Sequence, residues 1–147
     1  MKSSEATQGR IFILRLEDGE NLQECIESFA REKNISRAFL QVLGGADKGS
    51  KIIVGPENGR SKEIIPMIEE LGEMHEVIGN GTLFPDVYGN PKLHLHLALG
   101  RNRNTLCGEI RPGIIVWHVM EVIIVEILNS TAARKPDAVT GFDLLQP

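Results

Sequence analysis

The longest apolar segment of the chain, residues 114–128, constrains the fold more than any other feature. It consists of IIVWHVMEVIIVEIL and carries apolar residues at both odd and even positions. Successive side chains of a strand point to opposite faces, so a strand of this kind needs apolar cover on both faces. The chain offers one clear helix to cover one face, and we expect a second copy of the chain to cover the other. The pattern therefore predicts an oligomer.

That one helix is predicted within NLQECIESFAREKN, residues 21–34. Its apolar residues recur at the spacing of a single helical face. They are Leu22, Cys25, Ile26, Phe29 and Ala30. Asn21 suits the N-cap, and Asn34 suits a left-handed residue that ends the helix.

Most other segments alternate apolar and polar residues between turn signals such as Gly89-Asn90, which predicts strands joined by tight turns. We expect an α+β fold with one main helix and a mostly antiparallel sheet of six or seven strands. Residues 1–8 are expected to form a mobile tail, residues 9–130 a single domain and residues 131–147 a C-terminal tail.

Composition excludes several classes of protein. The 147 residues suit one domain, and the formal net charge of -4 disfavours nucleic-acid binding by a single chain. Two cysteines provide no disulfide framework. The N-terminus lacks the apolar core of a signal peptide, and the apolar segment at 114–128 is shorter than the roughly 20 residues that span a bilayer. We expect a cytoplasmic protein that does not enter a membrane.

Two histidines interrupt the alternation of PKLHLHLALGR, residues 91–101. His94 and His96 are two positions apart, so in a strand both point to one face and lie about 6–7 Å apart. This spacing allows both imidazoles to bind one metal ion. The alternative is a polar groove in which the two rings are hydrogen-bonded and hold no metal.

A third ligand has two candidates. If the histidine strand folds back on LCGEI through residues 100–105, symmetric pairing puts Glu109 opposite His96, where side chains on one face are neighbours. Two histidines and a carboxylate leave coordination positions open for water or substrate. His118, on the following strand, is the alternative third ligand if a bulge turns it to the same face.

Two further charged residues are candidates for the surroundings of this site. Arg101 follows the histidine strand and could clamp an anionic substrate, although exposed loops commonly carry such charges. Glu121 is a carboxylate within the strand that is apolar on both faces, and therefore needs a partner. An inter-subunit salt bridge is the favoured interpretation, and a role near the metal is the alternative.

Several segments together resemble the plants-and-prokaryotes conserved (PPC) domain family. They are FLQVLGGADKGSKIIVGP, PKLHLHLALGR, CGEIRPG and VMEVIIVEI, and the resemblance covers roughly residues 9–130. It implies a compact α/β homotrimer, and zinc bound through the histidines as in some prokaryotic members. Plant members carry the domain after AT-hooks in DNA-associated nuclear proteins. The AT-hook core Arg-Gly-Arg-Pro does not occur here, so that role does not transfer.

By this resemblance, His94 and His96 match the histidine pair of the family, and Glu121 matches the acidic residue of its long strand. Glu109 stands where many members have a third histidine, which changes the charge and hardness of that ligand. The prediction is a homotrimer that binds a divalent metal ion, with zinc expected, and that acts on a small anion. The alternatives are a non-catalytic scaffold and a DNA-associated binding module. No catalytic residue is assigned.

Overall fold

The structure is a computed structural model that describes residues 1–61, 63–111 and 113–147. Within these ranges it contains one helix, α1 (Leu22–Glu32), and ten strands. The strands are β1 (Thr7–Glu17), β2 (Ala38–Ala46), β3 (Lys51–Pro56), β4 (Pro66–Glu70), β5 (His75–Pro85), β6 (Pro91–Arg101), β7 (Asn104–Glu109), β8 (Val116–Leu128), β9 (Ala133–Pro136) and β10 (Asp143–Gln146).

Eight strands form one antiparallel sheet in the order β1-β8-β2-β5-β6-β7-β3-β4, and β9 and β10 form a separate hairpin. The α+β class is confirmed, but the expected six or seven strands are too few. The strands beyond that number carry little apolar alternation, which makes them hard to recognise: β4 is exposed along its whole length, and β9 and β10 have four residues each. The domain boundaries at residues 9 and 130 stay a prediction.

The helix begins and ends as its sequence predicts. The side chain of Asn21 accepts hydrogen bonds from the backbone N–H groups of Gln23 and Glu24, which caps the first turn. Asn34 adopts a left-handed φ of 54° just after the helix. Leu22 and Ile26 are fully buried, so the apolar face of α1 packs into the core.

The sheet has a covered inner face and an outer face. Along β8, Met120, Val122 and Ile124 are buried in the core, whereas Ile123 on the other face is 41% exposed. The exposed apolar side chains of strands β1, β8, β2 and β5 make up what we call the apolar outer face. They are Ile11, Ile13, Phe39, Leu43, Ile78, Val119 and Ile123. Thus the long apolar strand is covered on one face only within a single chain.

The pairing of β2 with β8 contains a bulge, where the register shifts between Gly44 and Gly45. A Cβ atom on Gly44 would lie 2.4 Å from the backbone oxygen of Val119, and its φ is +147°. Only glycine fits so close an approach of two backbones.

No helix in the described ranges is long and apolar enough to cross a membrane. The expected cytoplasmic location stays a prediction.

Candidate metal centre

The histidine strand β6 is longer than its partner β7, and the site lies where β7 ends. Pairing runs from Arg101↔Asn104 to His96↔Glu109, so the predicted pairing of His96 with Glu109 is present. Among the residues that the structure describes, no strand pairs with β6 on this side before His96. The backbone N–H of Leu93 there donates instead to Oε1 of Glu27 at 3.1 Å. A helix carboxylate thus satisfies a backbone group that a longer β7 would have bonded.

The two imidazoles converge. Nε2 of His94 lies 3.1 Å from Nε2 of His96, and the ring centroids are 5.1 Å apart. Two nitrogens bound to one tetrahedral zinc at ~2.0–2.1 Å lie about 3.3 Å from each other. The observed separation therefore suits two ligands of a single ion, and without an ion the same atoms share a hydrogen bond.

Glu109 lies beside this pair but is already engaged. Its Oε1 is 4.0 Å from Nε2 of His94. Arg111 donates to both carboxylate oxygens, with Nη2 2.8 Å from each. In the ranges that the structure describes, no group of three or more His, Cys, Asp or Glu side chains has the arrangement of a metal site. The donor set of His94, His96 and Glu109 fits a divalent ion, because the two histidines are in position and the carboxylate is close by. Arg111 would compete with the ion for that carboxylate.

The electrostatics favour the form of His94 that binds metals. Burial lowers its pKa, and the nearby Arg134 guanidinium lowers it further, while Glu109 opposes the shift. A lowered pKa keeps the imidazole neutral at neutral pH, and a neutral imidazole is the form that ligates a metal.

The alternative third ligand His118 is not brought to this site, so that prediction is wrong for a single chain. His118 lies on β8, and β2 and β5 separate β8 from β6. Three strand spacings amount to about 14 Å, beyond the reach of a shared ion. The backbone N–H of His118 bonds Oδ1 of Asp18 instead, at 2.6 Å.

Glu121 and Arg101 are also remote from the histidines. Glu121 is exposed on β8, opposite Arg15 of β1, and thus stands on the same distant strand as His118. Arg101 follows His96 by five residues, about 17 Å along a strand. Its Nη1 donates to the backbone oxygen of Met74 at 3.0 Å. Neither residue can act next to His94 in the same chain.

A cavity of about 710 Å³ adjoins the histidine pair. Its charged lining includes Lys92, His94, Glu109, Arg111 and Arg134, and the C-terminal hairpin forms its apolar wall. The sequence reasoning missed Arg111 and Arg134. Arg111 had a usable signal, since it is two positions from Glu109 in the extended segment that follows β7. Arg134 had none, because it lies in the segment taken for a tail.

The fold and this site define a class of α+β proteins that are built on one large antiparallel sheet. Their histidine pair lies on a long strand, next to the end of a shorter neighbouring strand. The family model of the Plants and Prokaryotes Conserved domain matches residues 3–128. The chain belongs to this family, as the resemblance indicated.

A solved structure of the same family agrees with this assignment. The chain is 27% identical to a metal-containing protein from Archaeoglobus fulgidus, with a TM-score of 0.84 and 100% of each chain covered. It is 25% identical to a plant- and prokaryote-conserved protein from Pyrococcus horikoshii, with a TM-score of 0.85, covering 100% of this chain and 98% of that one.

A match to the bifunctional protein GlmU from a Synechococcus strain is 29% identical over 136 residues and covers 90% of this chain but 20% of that protein. The chain thus spans about a fifth of the length of the curated relatives it matches.

Proposed function

We propose that the chain binds a divalent metal ion, with zinc expected, through His94, His96 and Glu109. The observation that carries this proposal is the 3.1 Å approach of the two Nε2 atoms. The cross-strand position of Glu109 and the depressed pKa of His94 support it. A similar structure, from Archaeoglobus fulgidus, is named a metal-containing protein.

The assembly that we propose is a homotrimer. The apolar outer face supports association with further copies, because Ile13 is 83% exposed and Ile78 57% exposed on one contiguous sheet surface. Exposed apolar surface of this extent on a sheet favours burial against a partner. The resemblance to the PPC family supplies the number of three copies.

The function that we propose for the metal centre is chemistry on, or binding of, a small anion. A divalent ion in such a site polarises a bound oxyanion and lowers the pKa of bound water. The chain's own contribution is to keep the imidazole of His94 neutral and to place Lys92, Arg111 and Arg134 around the adjoining cavity. In the alternative, the ion serves a non-catalytic scaffold, and assembly is the function.

Metal analysis of the purified protein tests the first of these proposals. Wild type is expected to contain about one ion per chain by the geometry of a two-histidine site, and His94→Ala/His96→Ala is expected to lose it. His118→Asn is the matched control, because it removes a remote histidine at φ 58°, a conformation that asparagine tolerates. Equal metal content in wild type and the double variant would overturn the proposal.

A further inference from the structure

Arg134 lies at the wall of the cavity with an incomplete set of partners. Its Nη2 donates to Oγ1 of Thr82 at 3.1 Å. Its Nε is buried and has no hydrogen-bond acceptor in the described part of the chain. The ion pairs found among those residues do not include Arg134 either. A half-buried guanidinium is thus held in place by one hydroxyl group.

This arrangement is unusual for a guanidinium. Buried donors are nearly always bonded, and one that is not needs an explanation. The planar guanidinium offers adjacent N–H donors that match the two oxygens of a carboxylate. Burial lowers the pKa of Arg134 while Glu109 and Asp143 oppose the shift, and arginine stays charged at neutral pH.

The described lining of the cavity holds three basic side chains, Lys92, Arg111 and Arg134, and three carboxylates, Glu27, Glu109 and Asp143. Glu27 accepts from the backbone of Leu93, and Glu109 is bonded by Arg111. Lys92 and Arg134 remain as cations near His94, and Asp143 is the one carboxylate of the lining with no such partner among the described residues. Lys92 and Arg134 are thus the basic side chains of the lining to which no carboxylate is bonded among the described residues, and they are the groups that an anionic ligand would contact.

The opposite wall is apolar. Leu93 of β6 contributes to it, together with residues of the C-terminal hairpin, namely Phe142, Leu144 and Leu145. The three hairpin side chains are 38–41% exposed, which leaves apolar surface facing the cavity and solvent. A volume of about 710 Å³ is within the range of small-molecule sites.

We propose that this cavity binds a small organic acid, with its carboxylate on Arg134 and its apolar part against Leu144 and Leu145. The inference rests on the proposed function only for the nearness of a metal ion, which would add positive charge beside His94. The hairpin that supplies Arg134 lies beyond residues 3–128, the part matched by the family model.

Isothermal titration calorimetry with chelator-treated protein tests the site without metal. Hexanoate is the probe, and acetate, hexanol and inorganic phosphate are the comparisons. We expect hexanoate to bind more tightly than acetate or hexanol, since only hexanoate has both the charge and the apolar chain. Phosphate that binds more tightly than hexanoate, or the absence of binding by any carboxylate, would overturn the proposal.

Variants assign the binding to the cavity. Arg134→Gln is expected to weaken hexanoate binding at least ten-fold, and Arg134→Lys to weaken it less. Leu145→Ser is expected to weaken hexanoate but not acetate. Arg60→Gln, an exposed arginine outside the cavity lining, is the matched control and is expected to bind as wild type does. Thermal melting checks that each variant is folded, and equal affinity of folded Arg134 variants and wild type contradicts the proposal.

The double variant His94→Ala/His96→Ala separates this inference from the metal proposal. We expect it to retain hexanoate binding within a few-fold while it loses metal. Wild type that contains metal as purified but binds no hexanoate would sink the cavity proposal alone, and wild type that binds hexanoate but takes up no metal, even when zinc is supplied, would sink the metal proposal alone.

Discussion

Arg111 donates hydrogen bonds to both carboxylate oxygens of Glu109, the residue that lies directly opposite His96 in the sheet. The guanidinium therefore engages both of the oxygens through which Glu109 would bind a metal ion. A metal cation and Arg111 would compete for the same carboxylate. They would also repel each other, because both are positively charged. The affinity of the metal centre is thus expected to depend on a residue that does not bind the metal.

Removal of this competitor is expected to strengthen metal binding. Arg111→Gln is expected to bind zinc several-fold more tightly than wild type, and Glu109→Gln to bind it more weakly. Competition with a chromophoric chelator at neutral pH measures both affinities. Unchanged or weaker binding by Arg111→Gln would show that the arginine does not oppose the ion.

If the chain forms the homotrimer that we propose, a charge on the apolar outer face is expected to dissociate it. Ile13→Glu would place a carboxylate at an 83% exposed position of this face, on the edge strand β1, where burial against another copy without a partner is costly. Light scattering coupled to size-exclusion chromatography measures the mass. Val139→Glu, at a residue that is 93% exposed beyond the eight-stranded sheet, is the control and is expected to leave the mass unchanged. A monomeric wild type contradicts the assembly that we propose.

Metal removal is expected to leave the assembly intact. Ile13, the most exposed residue of the apolar outer face, lies on the edge strand β1, whereas the histidine pair is on β6, four strands away. The mass of chelator-treated protein, compared with metal-loaded protein, checks this. Dissociation on chelation would favour the alternative in which the ion serves a scaffold.

The ion pair between Arg10 and Glu126 is expected to make stability depend on acid pH. Hydrogen bonds from Arg10 lower the pKa of Glu126, which is only 6% exposed. The pair therefore stabilises the fold above the unfolded-state pKa of about 4.3, and this stabilisation is lost as the pH falls through the lower folded-state pKa.

The variant Glu126→Gln isolates this effect. We expect its melting temperature to be several degrees below that of wild type at pH 7, and the difference to shrink at pH 3. Glu69→Gln, on the exposed edge strand β4, is the control with little expected change. A difference that is the same at both pH values would assign the effect to packing.

DNA association is not expected for this chain. Its formal net charge is -4, and phosphate-driven binding is strongest at low salt. A gel-shift experiment at low ionic strength is therefore expected to show no retention of duplex DNA, and retention would revive the DNA-associated alternative.

Local features of the site were predictable from the sequence, and long-range ones were not. His96 and Glu109 belong to a hairpin with a short loop, so symmetric pairing fixed their register. His118 and Glu121 depend on strand order instead. Because β8 inserts between β1 and β2, it does not pair with β7, which precedes it in the chain. Nothing in the local pattern of residues specifies that insertion.

The C-terminal hairpin was the largest omission. Its strands have four residues each, and their side chains do not alternate between apolar and polar. Arg134 gained its place through contact with Thr82 of β5, 52 positions earlier in the chain. Such a contact leaves no periodic signal.

The origin of the cavity walls has an evolutionary consequence. The histidine strand belongs to the segment shared with the family, whereas the guanidinium and the leucines come from the hairpin after it. Substitutions in the C-terminal hairpin would change which ligand the cavity binds and leave the two histidines unchanged. Relatives with the same histidine pair are therefore free to diverge in what they recognise.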